Sequence, residues 1–416
     1  MPTHSVSILA PDTWPFDLTW LPPSSYLVGG AVRDALISRP RTHLDLDFII
    51  STNAVQVARQ IAQHYQGGFV LLDPKRQIAR VVFPDCTLDF AQQEGNSLMA
   101  DLGRRDFTIN AIAYDPREQQ FVDPWQGQKD LRRQQLRMVA PANLADDPLR
   151  LLRAYRQAAQ LGFEIEAETH ATIRHLGNLL PQVAVERVQT ELGYLLSHPQ
   201  GVQWIEQGWR DGLLNYWFPQ AEQHFEWLLQ VERVANLLTE FWPVLGEQLS
   251  QPLQKTIKIP RLAIGKLVGL LSADFREAEA QLMALKYSNT EIKASLLILK
   301  YLPEFGLQAG EISVRNQYFL FRDLGNLWPV LAVVAVARGV PVKGITGLME
   351  RYLDESDGIA HPQPLIKGDD LIENFHLAKG PQIGELLTEI AIGRGEGKIN
   401  TRTEALEFVR NLLNLE

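Results

Sequence analysis

The sequence predicts an α+β N-terminal domain followed by an elongated all-helical remainder. Three observations carry this. Short β-type runs alternate with helix-period stretches between residues 26 and 139; after Pro141 the chain turns to long segments rich in Leu, Ala, Gln, Glu and Arg; and 416 residues at 45% hydrophobic content are too many for one ordinary core. Two to four domains are expected on length alone. We place the divisions at 1–139, 140–270 and 271–416, the first from the change of pattern and the second as a division of the helical part.

In order along the chain, YLVGG, DLDFII, FVLLD, ARVVF and CTLDFA read as strands, with a helix over Ala54 to Tyr65 between the second and third. LGF at Leu161 to Phe163, then Pro181, Pro199, Pro219 and Pro260, punctuate the helical part. No fixed-period repeat and no low-complexity segment is visible. The N-terminal stretch lacks a basic start followed by an apolar core, and the apolar run from Trp328 to Val342 is broken by Pro329, Arg338 and Gly339. These features, with a single cysteine, Cys86, predict a chain with no export signal, no membrane anchor and a cytoplasmic location.

Net charge is −9, which gives no general nucleic-acid footprint. Between Arg104 and Arg156, however, ten Lys/Arg stand against seven Asp/Glu, so positive charge concentrates where the motifs lie. A local basic channel on an acidic protein is feasible, and solvated helix faces account for much of the same pattern.

The first chemical constellation is Leu27-Val28-Gly29-Gly30-Ala31-Val32-Arg33-Asp34, a strand end, a glycine pair and a helix start. Glycine permits close backbone approach to a ligand, and free N–H groups at a helix start attract phosphate. Gly30 is the candidate for that approach, and Arg33, one turn in, for a second phosphate oxygen. Next comes Leu44-Asp45-Leu46-Asp47-Phe48. On a strand, Asp45 and Asp47 share one face while Leu46 and Phe48 share the other, so the two carboxylates are placed to hold Mg²⁺ for phosphoryl transfer. An isolated DxD is more often the polar face of a half-buried strand; a Gly-Gly turn just before it changes the odds. Asp89 is a candidate third carboxylate, weaker because strand-end aspartates commonly make turns.

The second constellation starts at Arg104-Arg105-Asp106, two cations able to grip phosphate with a carboxylate placed to pin one of them. It continues at Asp146-Asp147-Pro148-Leu149-Arg150, where Asp147 suits a helix N-cap and Pro148 the first helical position. Arg150, Arg153 and Arg156 then fall on one broad helical face, which reads either as a solvated basic face or as a phosphate-facing one. Asp147 accepting from an exocyclic amine and Arg150 donating to ring nitrogen or carbonyl oxygen can together present a template-like edge to cytosine, or after reorientation to adenine.

GGAVRD, DLDF, RRDFTINAIA, VDPWQGQKDL, DDPLRLLRAYRQAAQLGFEI and Glu186-Arg187-Val188, in that order, resemble the class II tRNA nucleotidyltransferase and bacterial poly(A) polymerase family. The motif-bearing match covers roughly residues 26 to 196, and a weaker likeness extends through GPQIGELLTEI and GKINTRTEALEFVR. The resemblance implies a polymerase-β-like nucleotidyltransferase head (1–139), a helical neck and body with nucleotide-reading and RNA-binding residues (140–270), and a tRNA-binding tail (271–416). By motif position it implies Mg²⁺ on Asp45 and Asp47, triphosphate on Gly30 and Arg33, nucleotide on Arg105, base reading by Asp147 and Arg150, and nucleotide or phosphate contacts from Arg153 and Arg156. Asp146 departs from the family, which usually has Glu there.

The expected activity is transfer of nucleotides from CTP, with ATP as a second candidate donor, to the 3′ end of the tRNA acceptor arm with release of pyrophosphate. Poly(A) polymerase shares the head motifs and is the rival, the missing long basic C-terminal tail counting against it; a catalytically silent RNA-binding homologue is the other rival, against which the intact motifs argue. The linker from Gln92 to Gly103 is short. Family members that stop after two cytosines resemble this chain in that respect, so a CC-adding enzyme, its product finished by a separate A-adding enzyme, is expected.

Overall fold

The computed structural model describes residues 8–40, 43–254, 257–305 and 312–414. Residues 1–7, to which the expectation of no export signal partly refers, lie outside the described residues. The chain forms two compact units, one of residues 1–192 with 207–213, the other of 193–206 with 214–416.

In the first unit, β1 (Ser25–Val28) leads through a glycine turn into α1 (Gly30–Leu36), and β2 (Leu44–Ile50) is followed by α2 (Ala54–His64). A hairpin of β3 (Gly68–Asp73) and β4 (Ile78–Phe83) precedes β5 (Cys86–Gln92), α3 (Leu98–Leu102), β6 (Ala113–Asp115) and β7 (Gln120–Val122). These seven strands form one mixed sheet in the order β3-β4-β5-β2-β1-β6-β7. Only the β2–β5 pairing among its neighbours is parallel, and it sets Asp47 opposite Asp89; β1 runs antiparallel to β2 with Val28 opposite Asp47.

The alternation in β2 places the site. Phe48 is 1% exposed and stacks on Phe90 at 5.3 Å, with Trp14 and Phe16 packed edge-on against Phe48. On the opposite face Ile49 is buried with Val28, Leu102, Ala111 and Ala113, Asp47 is half-buried and Asp45 is exposed. That face therefore grades from packed core to solvent along one strand, and the two carboxylates sit at its wet end.

The unit continues through α4 (Gly127–Arg132), a short parallel pair of β8 (Gln135–Leu136) and β9 (Glu164–Ile165), α5 (Pro141–Asp146), α6 (Leu149–Leu161), α7 (Ala167–Leu176) and α8 (Val185–Ser197). Gly162, at φ +67°, ends α6 in the left-handed conformation that glycine tolerates best. Buried Asp211 ties this helical part together. It accepts from the Tyr155 hydroxyl at 2.6 Å and from Gln207 at 3.1 Å, with the His170 ring nitrogen at 2.6 Å.

Among its described residues, the second unit's regular structure is helical apart from a small hairpin of Pro252–Gln254 with Ile257–Pro260. Trp328 is fully buried and lies 5.7 Å from both Phe305 and Phe321. The run Val314–Ala337 is long and apolar enough to cross a membrane, but 67% of its most apolar window is buried inside the protein, as in a core helix. A separate small core of Ile366, Leu371, Leu386, Ile390, Ile399, Ala405 and Val409 closes the C-terminal helices.

Candidate nucleotide-transfer site

Gly29 makes the turn between β1 and α1. Its φ of +73° is strained for any residue with a side chain, and a Cβ there would stand 3.3 Å from an Asp47 carboxylate oxygen and 3.4 Å from an Arg105 guanidinium nitrogen. Gly30 is the first residue of α1. The turn thus lies against the metal-type strand on one side and the Arg-Arg-Asp segment on the other. Gly29→Ala should lower nucleotide affinity by about tenfold or more, since the added carbon strains the backbone by about 1–3 kcal/mol and intrudes between two charged groups. Titration with CTP checks this, and unchanged affinity would remove the turn from the site.

Asp45 and Asp47 are oxygen donors on one strand face, the kind a hard divalent cation takes. The Asp45 side chain is 60% exposed, and the space beside Asp47 is kept open by the glycine turn. No group of three or more His, Cys, Asp or Glu able to hold a metal occurs among the described residues, so this pair would need substrate oxygens to complete a shell. Asp89 has other work: Arg80 holds both its oxygens, at 2.7 and 2.8 Å. Cys86, at the buried end of β5, has its thiol pushed up to about 12 by burial and by Asp45, which leaves it a packing residue.

The Arg-Arg-Asp segment is arranged differently from the sequence expectation that Asp106 pins a neighbouring arginine. Arg104 pairs with Glu94, and Arg105 lies 3.8 Å from Asp101 and donates to the Asn110 carbonyl at 3.3 Å. Asp106 turns inward, accepts from its own neighbour's amide, Phe107 N–H, at 2.8 Å and from Asn110 at 2.9 Å, and meets Arg153 of α6 at 3.1 Å. Burial pushes the Asp106 carboxyl up, but Arg153, the Asn110 amide, the Phe107 N–H and Arg150 outweigh it and hold the group below the usual carboxylate range.

A carboxyl depressed in the folded state stabilises the fold above its unfolded value of about 3.9, and that contribution fades as pH falls through the lower folded value. Asp106→Asn should therefore lower stability at pH 7 by an amount on the order of 2 kcal/mol, seen as a lower thermal midpoint, and show a shallower loss on acidification than the parent. Parallel acid limbs for the two proteins would show that Asp106 does not titrate in this way.

The three arginines of α6 go to three places. Arg150 donates to the Arg104 carbonyl at 2.8 Å and the Asn143 carbonyl at 3.0 Å; Arg153 meets Asp106; Arg156 turns to Glu191 of α8 and donates to Gln160 at 2.8 Å. Arg33, 13% exposed, donates to Asp34 at 2.8 Å and Asn110 at 2.9 Å. The Nε atoms of Arg105 and Arg153 are buried and have no hydrogen-bond partner among the described residues.

Asp147 is not an N-cap. It is the extended residue between α5 and α6, and its carboxylate takes a two-pronged contact from Arg187 at 2.9 and 3.2 Å, with Arg150 at 4.0 Å. The reason is Arg187, which takes both carboxylate oxygens and so draws the side chain away from the start of α6. Asn110, Asn143, Gln157 and Arg187 were not singled out as candidates from sequence, although Asn110, Gln157 and Arg187 lie inside quoted motifs; a polar residue on an apolar-periodic stretch is the signal that could have marked Asn143.

A strand-borne carboxylate pair, a glycine turn opening a helix and an arginine-rich helix beside them define the nucleotidyltransferase class of head. Family models agree: the poly A polymerase head domain matches residues 25–137, the probable RNA- and SrmB-binding site of polymerase A residues 162–225, and the putative tRNA nucleotidyltransferase domain 2 residues 260–409.

Along its whole length the chain is 47% identical over 406 residues to the CC-adding tRNA nucleotidyltransferase of Synechocystis sp., covering 96% of each. It is also 32% identical to the A-adding tRNA nucleotidyltransferase of Deinococcus radiodurans, over 94% of this chain and 95% of that one. The fold matches a CCA-adding enzyme solved in complex with ATP at a TM-score of 0.73 and 21% identity, over 94% of this chain and 91% of that one. The chain belongs to the class II tRNA nucleotidyltransferase family.

Proposed function

We propose that this protein transfers CMP from CTP to the 3′ end of tRNA in two successive rounds and stops at CC. In each round the terminal hydroxyl attacks the α-phosphorus of CTP, the α–β phosphoanhydride bond breaks and pyrophosphate leaves. The observation that carries the reading is the convergence of the Asp45–Asp47 strand, the Gly29 turn and Arg105 within a few ångströms. Mg²⁺ held by Asp45 and Asp47 would neutralise the triphosphate and orient the attacking and leaving oxygens. Arg33 and Arg105, with the Gly29-Gly30 turn, hold the triphosphate; Asp147 and Arg150 read the base; Arg153 braces the side of α6 toward the Arg-Arg-Asp segment, and Arg156 would contact the nucleotide or its phosphates only by leaving Glu191.

Whole-length relatives named for work on tRNA favour this over a poly(A) polymerase, with which it shares the head. A cytoplasmic location fits the buried, unreactive single cysteine. The direct test is incubation of a tRNA lacking its 3′ end with CTP and Mg²⁺: a two-nucleotide extension and matching pyrophosphate support the reading, and no extension removes it. With ATP alone on a generic RNA, a long A tract would favour the rival.

Base selection supplies a finer test. Arg150 donates to two backbone carbonyls, those of Arg104 and Asn143, and lies 4.0 Å from Asp147. Arg150→Ala should lose about tenfold or more of the preference for CTP over UTP, while triphosphate affinity falls less, because Arg33 and Arg105 remain. Competing CTP and UTP incorporation measures it, and an equal loss for every nucleotide would make Arg150 another phosphate contact.

A further inference from the structure

The residues of α6 at positions 150, 153 and 157 are spaced by three and four, which places them on one stripe of the helix. The third member of the stripe toward the Arg-Arg-Asp segment is thus Gln157, whereas Arg156 faces Glu191. Gln157 is 2% exposed, an expensive place for an amide unless its partners are supplied.

They are supplied from both halves of the site. Its carbonyl oxygen accepts from Asn110 at 2.9 Å and from an Arg33 guanidinium nitrogen at 3.3 Å, and its amide nitrogen donates to Asp106 at 3.4 Å. Asn110 in turn accepts from the same Arg33 nitrogen and donates to Asp106, which meets Arg153. Arg33, Asn110, Gln157, Asp106 and Arg153 therefore form one buried chain of hydrogen bonds running from α1 to α6. Each donor and acceptor in it fixes the direction of the next, so the amide of Gln157 can be satisfied in only one orientation.

We infer that Gln157 is a positioning residue that sets the Arg33 guanidinium in its triphosphate-binding orientation and couples it to the base-reading helix. The inference rests on the reading of Arg33 as a triphosphate contact. An apolar side chain of similar length at 157 takes one acceptor from Arg33, which keeps Asp34 and Asn110, and removes its direct hydrogen bond to α6. The triphosphate half and the base half of the site then lose their shared register.

Binding of inorganic tripolyphosphate in the presence of Mg²⁺, followed by calorimetry on the full chain, tests this without requiring transfer. Gln157→Met should weaken binding by about tenfold. In an Arg33→Lys background, where the two-pronged guanidinium geometry is already gone, the same change should cost no more than about twofold, because the effect acts through Arg33.

Gln157→Glu places a second carboxyl beside the Asp106 carboxylate and so retains a proton there; it keeps an acceptor for Arg33 and an O–H donor to Asp106, should stay within about threefold of the parent, and serves as the comparison where the methionine variant folds poorly. Unchanged binding by Gln157→Met, or the same tenfold loss repeated in the Arg33→Lys background, would overturn the inference. So would a tenfold loss in Gln157→Glu. A chain that binds tripolyphosphate as described yet fails to extend tRNA leaves this inference standing and removes the activity proposed above.

Discussion

Asp45→Ala and Asp47→Ala are each expected to abolish nucleotide addition, with rates lowered by at least about a thousandfold, while tRNA affinity stays within about threefold. The effect is large because nothing else near β2 can replace the lost donor. Asp89 gives both its oxygens to Arg80, and no alternative cluster of acidic, histidine or cysteine ligands exists among the described residues. Stability should change little for Asp45, whose side chain is 60% exposed at the wet end of the strand. Single-turnover addition from labelled CTP, paired with filter binding of tRNA, separates chemistry from binding. Turnover of either variant near the parental rate would remove the assignment of these carboxylates to the reaction.

The strand alternation that carries this prediction was legible because it depends on local periodicity alone. Asp45 and Asp47 on one face and Phe48 on the other follow from the two-residue repeat, and the structure only adds that Phe48 meets Phe90 and Trp14. The α+β start, the helical remainder and the glycine turn were legible for the same kind of reason. What sequence could not supply was pairing between residues far apart. Asp147 sits in a sequence that specifies a cap equally well, and only the arrival of Arg187, 40 positions later, diverts its carboxylate.

Asp106 likewise stands beside two arginines, but the polar chain reaching it from α6 outcompetes them. On α6 the three arginines look equivalent on a helical wheel. The tertiary environment sorts them to two carbonyls, one buried aspartate and one glutamate, and raises an unremarked glutamine to their company.

With CTP and ATP supplied together to a tRNA lacking its 3′ end, the expected product ends in CC. The argument lies in the connection between β5 and α3. Only five residues, Gln93 to Ser97, join Gln92 to Leu98, and they are fastened along their length. The Gln93 N–H donates to the Ile50 carbonyl at 2.8 Å, the Glu94 N–H to Asp101 at 2.8 Å, the Glu94 carboxylate meets Arg104, and Ser97 caps α3 through the Ala100 N–H at 3.2 Å. A tether this short and this bonded has few alternative conformations and little reach.

The same segment runs on to Arg104, whose carbonyl holds Arg150, so in the proposed reading, where Arg150 reads the base, the geometry offered to the incoming base is braced from the linker side. Accepting adenine requires Asp147 and Arg150 to shift against that bracing, and the linker offers no slack to drive the shift. A tRNA already ending in CC should therefore gain adenosine from ATP at no more than about a hundredth of the rate of cytidine addition. Supplying an A-adding tRNA nucleotidyltransferase to the same mixture should complete the CCA end. Sequencing the 3′ termini decides it: efficient CCA ends from this protein alone would show that the short linker does not limit specificity, and would return the chain to the full CCA-adding enzymes.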